Sequence, residues 1–152
     1  MYEKMNKVDV RIGRFFNVYG YGQDVTSSYS GVLTHFSTAM RNGSRIKVYG
    51  DGSNVRDYVY VKDVVSAMIF MMRQDSIYRA NIGTGSGSSV TDVIKVLAEY
   101  FGQYPEIEWC PPRQGDPACS VANVSVLSNL GWRAKYSLTE GVSHWLSGKG
   151  NY

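Results

Sequence analysis

Apolar and polar side chains alternate over residues 8–16, V-D-V-R-I-G-R-F-F, and this pattern predicts a strand. The run N-V-Y-G-Y-G-Q follows as a turn punctuated by Gly20 and Gly22, and a loop rich in Ser, Thr and Gly covers residues 24–31. Val32, Phe36, Ala39 and Met40 recur at helical spacing, and Asn42-Gly43 closes that helix with a pair that tolerates left-handed backbone. Ile46 and Val48 predict a short strand before the Asp51-Gly52 turn, and residues 58–61 predict another. Asp63 is placed to cap a helix carrying Val64, Val65, Met68, Ile69 and Met72 on one broad face. A strand over 80–82 runs into G-T-G-S-G, and Thr91 is an N-cap for a helix over 92–101 that Gly102 ends. An extended segment around Ile107 and Trp109, the loop P-P-R-Q-G-D-P, a short helix over 124–130 and a last helix from Ser137 or Thr139 complete the order. Strands alternating with helices imply an α/β chain with a crossover between parallel strands.

Composition narrows the classes. The 152 residues suffice for one domain, since a chain of this size buries roughly two-thirds of its unfolded surface. With 43% hydrophobic and 19% charged residues, the chain is neither disordered nor a collagen nor a disulfide scaffold. A net charge of +3 gives no electrostatic case for nucleic acid as a partner. Twelve tyrosines fit binding surfaces, where a ring needs an apolar side and a polar partner. Cys110 and Cys119 lie too far apart for a metal-ligand pair and have no nearby His, so reduced thiols in a cytoplasmic protein are expected. The longest apolar stretch, residues 64–72, is far short of a membrane span, and no basic-apolar-small leader is seen; no membrane partner is expected.

Candidate chemistry gathers in a few places, each with two readings. Arg56, between a glycine turn and a strand, suits bidentate contact with a phosphate; alternatively it is a solvated cation paired with Asp51 or Asp57. Arg113 and Asp116 share a loop stiffened by prolines, where one could hold a phosphate and the other a hydroxyl pair, or each could neutralise the other. Asn17 offers a donor and an acceptor at a strand end, or caps a turn. Tyr58 and Lys62 have the Tyr-x-x-x-Lys spacing of tyrosine-dependent oxidoreductases. That chemistry needs one helical face, and this β-branched run reads as strand, so the pair is rejected. Gly83-Thr-Gly85-Ser-Gly87 partly matches a dinucleotide fingerprint, but Ser88 stands where its third glycine belongs. His35 reads as a helix-face residue and His144 as a packing residue; no Walker loop and no G-x-S-x-G elbow occur.

Together, R-F-F-N-V-Y-G-Y-G-Q, I-K-V-Y-G-D-G-S-N-V-R-D-Y-V-Y-V-K-D-V, N-I-G-T-G, R-Q-G-D-P and L-G-W with S-L-T-E-G-V resemble the extended short-chain dehydrogenase/reductases, the NAD-dependent nucleotide-sugar epimerases and dehydratases. R-Q-G-D-P brings the chain nearest the 4-epimerase type acting on UDP-glucose or UDP-N-acetylglucosamine. The resemblance implies that Asn17 contacts the sugar-nucleotide diphosphate, Arg56 grips it, and Arg113 and Asp116 hold phosphate and ribose. It also implies that backbone groups of Val48 and Tyr49 read a uracil ring. Asn123 and Val126 depart from the Asp and Lys of many relatives.

Members of this family begin with a glycine-rich NAD-binding segment and carry Tyr-x-x-x-Lys before the strand that ends R-F-F-N. Here M-Y-E-K-M-N-K stands in that place, and Tyr2 is followed four residues on by Asn6. The expected fold is therefore α/β: partial Rossmann-like parallel strands plus the small substrate-binding subdomain, without the N-terminal NAD-binding half, as one domain over residues 1–152. The expected function is to bind a nucleotide-sugar, a UDP-sugar above all, with no catalytic residue and no NAD bound by this chain alone. The alternative is a non-catalytic binding or oligomeric interaction module derived from the family. Strand edges at 8–16 and 80–83 and apolar positions such as Met68, Phe70 and Met72 point to a homo-oligomer, or to a missing NAD-binding half as partner.

Overall fold

The computed structural model describes residues 9–27 and 30–148; Val8 and the M-Y-E-K-M-N-K stretch with Tyr2 and Asn6 lie outside them. The first strand is two strands. β1 (Ile12–Phe15) pairs in parallel with β6 (Arg79–Ile82), and β2 (Asn17–Tyr19) pairs in parallel with β5 (Tyr58–Tyr60). The hand-over takes one residue. Phe16 N still donates to Ile82 O at 3.1 Å, while Asn17 N donates to Asp57 O at 3.0 Å. Asn17, Val18 and Tyr19, expected in a turn, thus continue as a strand because a second partner collects them. The turn comes at Gly20, whose φ of +139° and a Cβ position only 2.6 Å from Val61 Cγ1 admit glycine alone.

α1 (Val32–Arg41) buries Leu33, Phe36 and Met40, and Asn42 with Gly43 ends it as expected. In β3 (Ile46–Tyr49) Ile46 and Val48 face the core while Lys47 and Tyr49 face out, and β8 (Ile107–Cys110) lies parallel beside it. A small sheet escapes sequence reading, since two residues cannot display alternation. In it β4 (Val55–Arg56) lies between β7 (Ser88–Ser89), antiparallel, and β9 (Cys119–Ser120), parallel.

Four more helices follow: α2 (Val61–Met72), α3 (Val90–Phe101), α4 (Ser125–Asn129) and α5 (Leu138–Leu146). Two expected caps are corrected. α2 begins at Val61 after Tyr60, and Asp63 is instead buried inside its first turn, accepting from Lys135 N at 3.0 Å and Tyr136 N at 3.1 Å. The N-cap of α3 is Ser89 rather than Thr91, in a capping box with Asp92. The expected face of α2 is also corrected. Val64, Ala67 and Met71 bury, whereas Val65, Met68, Ile69 and Met72 are exposed and Phe70 is only partly covered. The helix carries two apolar stripes, and periodicity alone does not say which meets the core.

The core falls into two clusters. Tyr19, Leu33, Phe36, Val48, Leu97 and Val142 fill the space among α1, α3, α5 and β3. Val59, Ala67, Met71, Ile82, Leu127 and Trp132 fill that among α2, β6 and α4. No helix among the described residues is long and apolar enough to cross a membrane.

Candidate functional site

Six separate segments line one cleft of about 200 Å³: β2, the start of α1, β3, the β4–β5 strip, Val90 at the start of α3 and the 113–116 loop. All six residues singled out from the sequence stand on its wall: Asn17, Val48, Tyr49, Arg56, Arg113 and Asp116. Arg56 is paired with Asp116, its side chain largely covered. The partner of Arg56 is neither Asp51 nor Asp57: Asp51 accepts from Ser53 N and Oγ, and Asp57 points the other way. The Arg56 guanidinium also donates to Val55 O at 2.7 Å, and Asn54 Nδ2 donates to Asp116 Oδ2 at 3.0 Å. Arg113 leaves Asp116 to Arg56 and sets its guanidinium carbon over the Tyr49 ring, 3.9 Å from the centroid. Asn17 Nδ2 donates to Asp57 O at 3.3 Å, which ties its amide to the β4–β5 junction. Val48 lines the cleft although its side chain belongs to the core, at 1% exposure.

Asn54 and Tyr58 are among the polar cleft residues that sequence reasoning does not single out, with Tyr19 and Lys47. The signal for Tyr58 was present. In extended backbone residues two apart share a face, so Tyr58 stands with Arg56, and parallel pairing sets it opposite Asn17. Its place in an apparent Tyr-x-x-x-Lys obscured that signal. Tyr58 opens strand β5 and Lys62 lies in helix α2, so the two do not share a helical face. Burial pushes the Tyr58 hydroxyl up to about 12, with the Arg56 charge pulling down and the Asp116 charge pushing up. The phenol is therefore a neutral donor at physiological pH.

Asp57 faces away from the cleft and explains the glycine-rich loop. Fully buried, its carboxylate accepts from Thr84 N at 2.9 Å, Thr84 Oγ1 at 2.6 Å, Gly85 N at 2.9 Å and Ala122 N at 3.2 Å. The amides of residues 84 and 85 thus cradle an internal anion. This loop, whose spacing resembles a dinucleotide fingerprint, does not fit a cofactor diphosphate while Asp57 occupies it.

The cleft gathers cations, amides, one carboxylate and aromatic walls. Guanidiniums hold phosphate oxygens in forked geometry, a carboxylate accepts from vicinal hydroxyls, and Tyr49 offers a flat face. His35 is exposed on α1, and His144 packs against Tyr60 and Tyr136, with ring centroids 6.4 and 5.3 Å away. Among the described residues no group of metal-ligating side chains forms.

The family model for the NAD-dependent epimerase/dehydratase family matches residues 1–83. The dTDP-L-rhamnose 4-epimerase of Burkholderia thailandensis is 33% identical over 140 residues, 90% of this chain and 38% of that protein. The UDP-glucose 4-epimerase of Mycolicibacterium smegmatis is 36% identical over 145 residues, 94% of this chain and 46% of that protein. A crystal structure of UDP-glucose 4-epimerase with UDP-glucose from Thermotoga maritima superposes with a TM-score of 0.88 at 36% identity, covering 96% of this chain and 47% of that one. The chain spans less than half the length of each of these relatives. With its parallel strand pairs, its motifs in order and a family match over more than half its residues, the chain belongs to the NAD-dependent epimerase/dehydratase family.

Proposed function

We propose that this chain binds a nucleotide-sugar, a UDP-sugar in particular, and supplies the binding and orienting half of an epimerase- or dehydratase-type site without catalysing the reaction alone. The observation that carries this reading is the convergence of Asn17, Arg56, Arg113 and Asp116 on one cleft from distant parts of the chain. In this reading Arg56 and Asn17 hold the diphosphate, while Asp116 exchanges Arg56 for ribose hydroxyls and Arg113 holds phosphate from above Tyr49. Backbone groups of Val48 and Tyr49 meet the base. The names of relatives support the ligand class: the Thermotoga maritima enzyme was crystallised with UDP-glucose.

The cleft orients a ligand; it does not gather the means for sugar oxidation. Tyr58 and Lys62 sit on different elements, and the glycine loop is filled by Asp57. Hydride chemistry on the sugar, which the family's NAD supplies when bound, is therefore assigned to groups other than these.

Calorimetric titration tests the binding role, and an activity assay tests the claim that the chain does not act alone. UDP and UDP-glucose are expected to bind, and Arg56→Ala to weaken UDP by about tenfold to a hundredfold, the worth of hydrogen bonds to a charged group. A folded chain that binds neither ligand, or an Arg56→Ala variant that binds UDP as the parent does, overturns the binding role. Interconversion of UDP-glucose and UDP-galactose by the purified chain with added NAD overturns the claim that it does not act alone.

A further inference from the structure

We propose that the Tyr58 hydroxyl is a further ligand-binding group, donating a hydrogen bond to a phosphate oxygen that Arg56 also holds. This rests on the reading of the cleft as a diphosphate site and adds to it a residue that no motif assigned. Tyr58 is 7% exposed, and its hydroxyl is buried without a hydrogen-bond partner among the described residues. Buried hydroxyls are normally paired, because desolvating one without compensation costs free energy. The exception here lines the cleft, on the same face as Arg56 and opposite Asn17.

Its neighbours are otherwise provided for. Asp116 engages Arg56 and Asn54, and Asp57 on the opposite face takes its four donors. The other buried orphan among the described residues, His144 Nδ1, does not line the cleft. A neutral phenol beside a guanidinium complements an acceptor-only anion, since a phosphate oxygen receives from both. A ligand cation is disfavoured there by the Arg56 charge. The free chain therefore carries an unpaired donor that a bound phosphate would satisfy.

Tyr58→Phe removes the hydroxyl and keeps the ring. Calorimetry with UDP, ligand-observed NMR with uridine and thermal melting of the free protein together test the proposal. UDP affinity is expected to fall about tenfold, the worth of a hydrogen bond to a charged acceptor, with uridine affinity unchanged. The free variant is expected to melt no lower than the parent, because the hydroxyl it loses had no partner. Unchanged UDP affinity in the variant, with the parent binding normally, overturns the role of Tyr58 alone. An equal loss for uridine and UDP, or a clearly lower melting temperature, assigns the effect to packing and also overturns it. A folded parent chain that fails to bind UDP overturns this inference together with the reading of the cleft.

Discussion

Within R-D-Y, three consecutive side chains do three different jobs because extended backbone sends alternate residues to opposite faces. Arg56 and Tyr58 face the cleft, and Asp57 faces inward onto the glycine loop and Ala122. A Cβ on Gly83 would stand 2.6 Å from Asp57 Oδ2 and from Ala122 Cβ, so the close approach requires glycine. Asp57→Ala would leave the buried Ala122 N without its acceptor and take one from the partly buried Thr84 and Gly85 donors, and is expected to destabilise the chain by about 1–3 kcal/mol, read from urea unfolding. Gly83→Ala is expected to cost about 1–3 kcal/mol through overpacking. In the sequence alone Asp57 is an optional surface partner for Arg56 and the glycine loop a faint cofactor signal. Each was half of one internal site, and nothing local shows that residues 57 and 84 meet.

Among elements, α3 and α5 are started by the same device. Ser89 with Asp92, and Ser137 with Glu140, each exchange side-chain and backbone hydrogen bonds across the first turn. Ser89→Ala or Ser137→Ala is expected to cost about 1 kcal/mol at neutral pH. Hydrogen bonds from Ser89 and Ser137 hold the Asp92 and Glu140 carboxyls below their ordinary values. Groups depressed in the folded state contribute stability that is fully present above their unfolded pKa, about 4, and is lost as pH falls through the lower folded value. The gap in melting temperature between parent and the Ser89→Ala/Ser137→Ala variant should therefore narrow from pH 6 to pH 2. A constant gap would contradict the assignment. α5 also depends on Gly141, whose missing side chain lets the Tyr19 hydroxyl approach the helix and donate to Leu138 O at 3.4 Å. Gly141→Ala is expected to lower stability by about 1–3 kcal/mol, since an added methyl would occupy the phenol's position.

At the scale of the whole molecule, Val65, Met68, Ile69 and Met72 form an exposed apolar stripe along α2, with Ile12 and Phe15 exposed on β1. Apolar surface of that extent favours association. We expect light scattering at micromolar concentration to give a mass above that of one chain, and Met68→Lys/Met72→Lys to lower it. A monomeric mass for the parent chain would refute self-association.

The sequence by itself determined the class of the fold, the order of its long elements and their stops at Asn42-Gly43, Gly102 and Gly131, because periodicity and backbone preference are local properties. It also marked Asn17, Arg56, Arg113 and Asp116, though their local chemistry left two readings open and only their resemblance to a family chose between them. Tertiary structure decided the rest. It set the pairing of Arg56 with Asp116 across sixty residues, the stacking of Arg113 on Tyr49, the two-residue strands and the stripe of α2 that is buried. Those outcomes depend on which distant segments come to share a surface, and no window along the chain contains both partners.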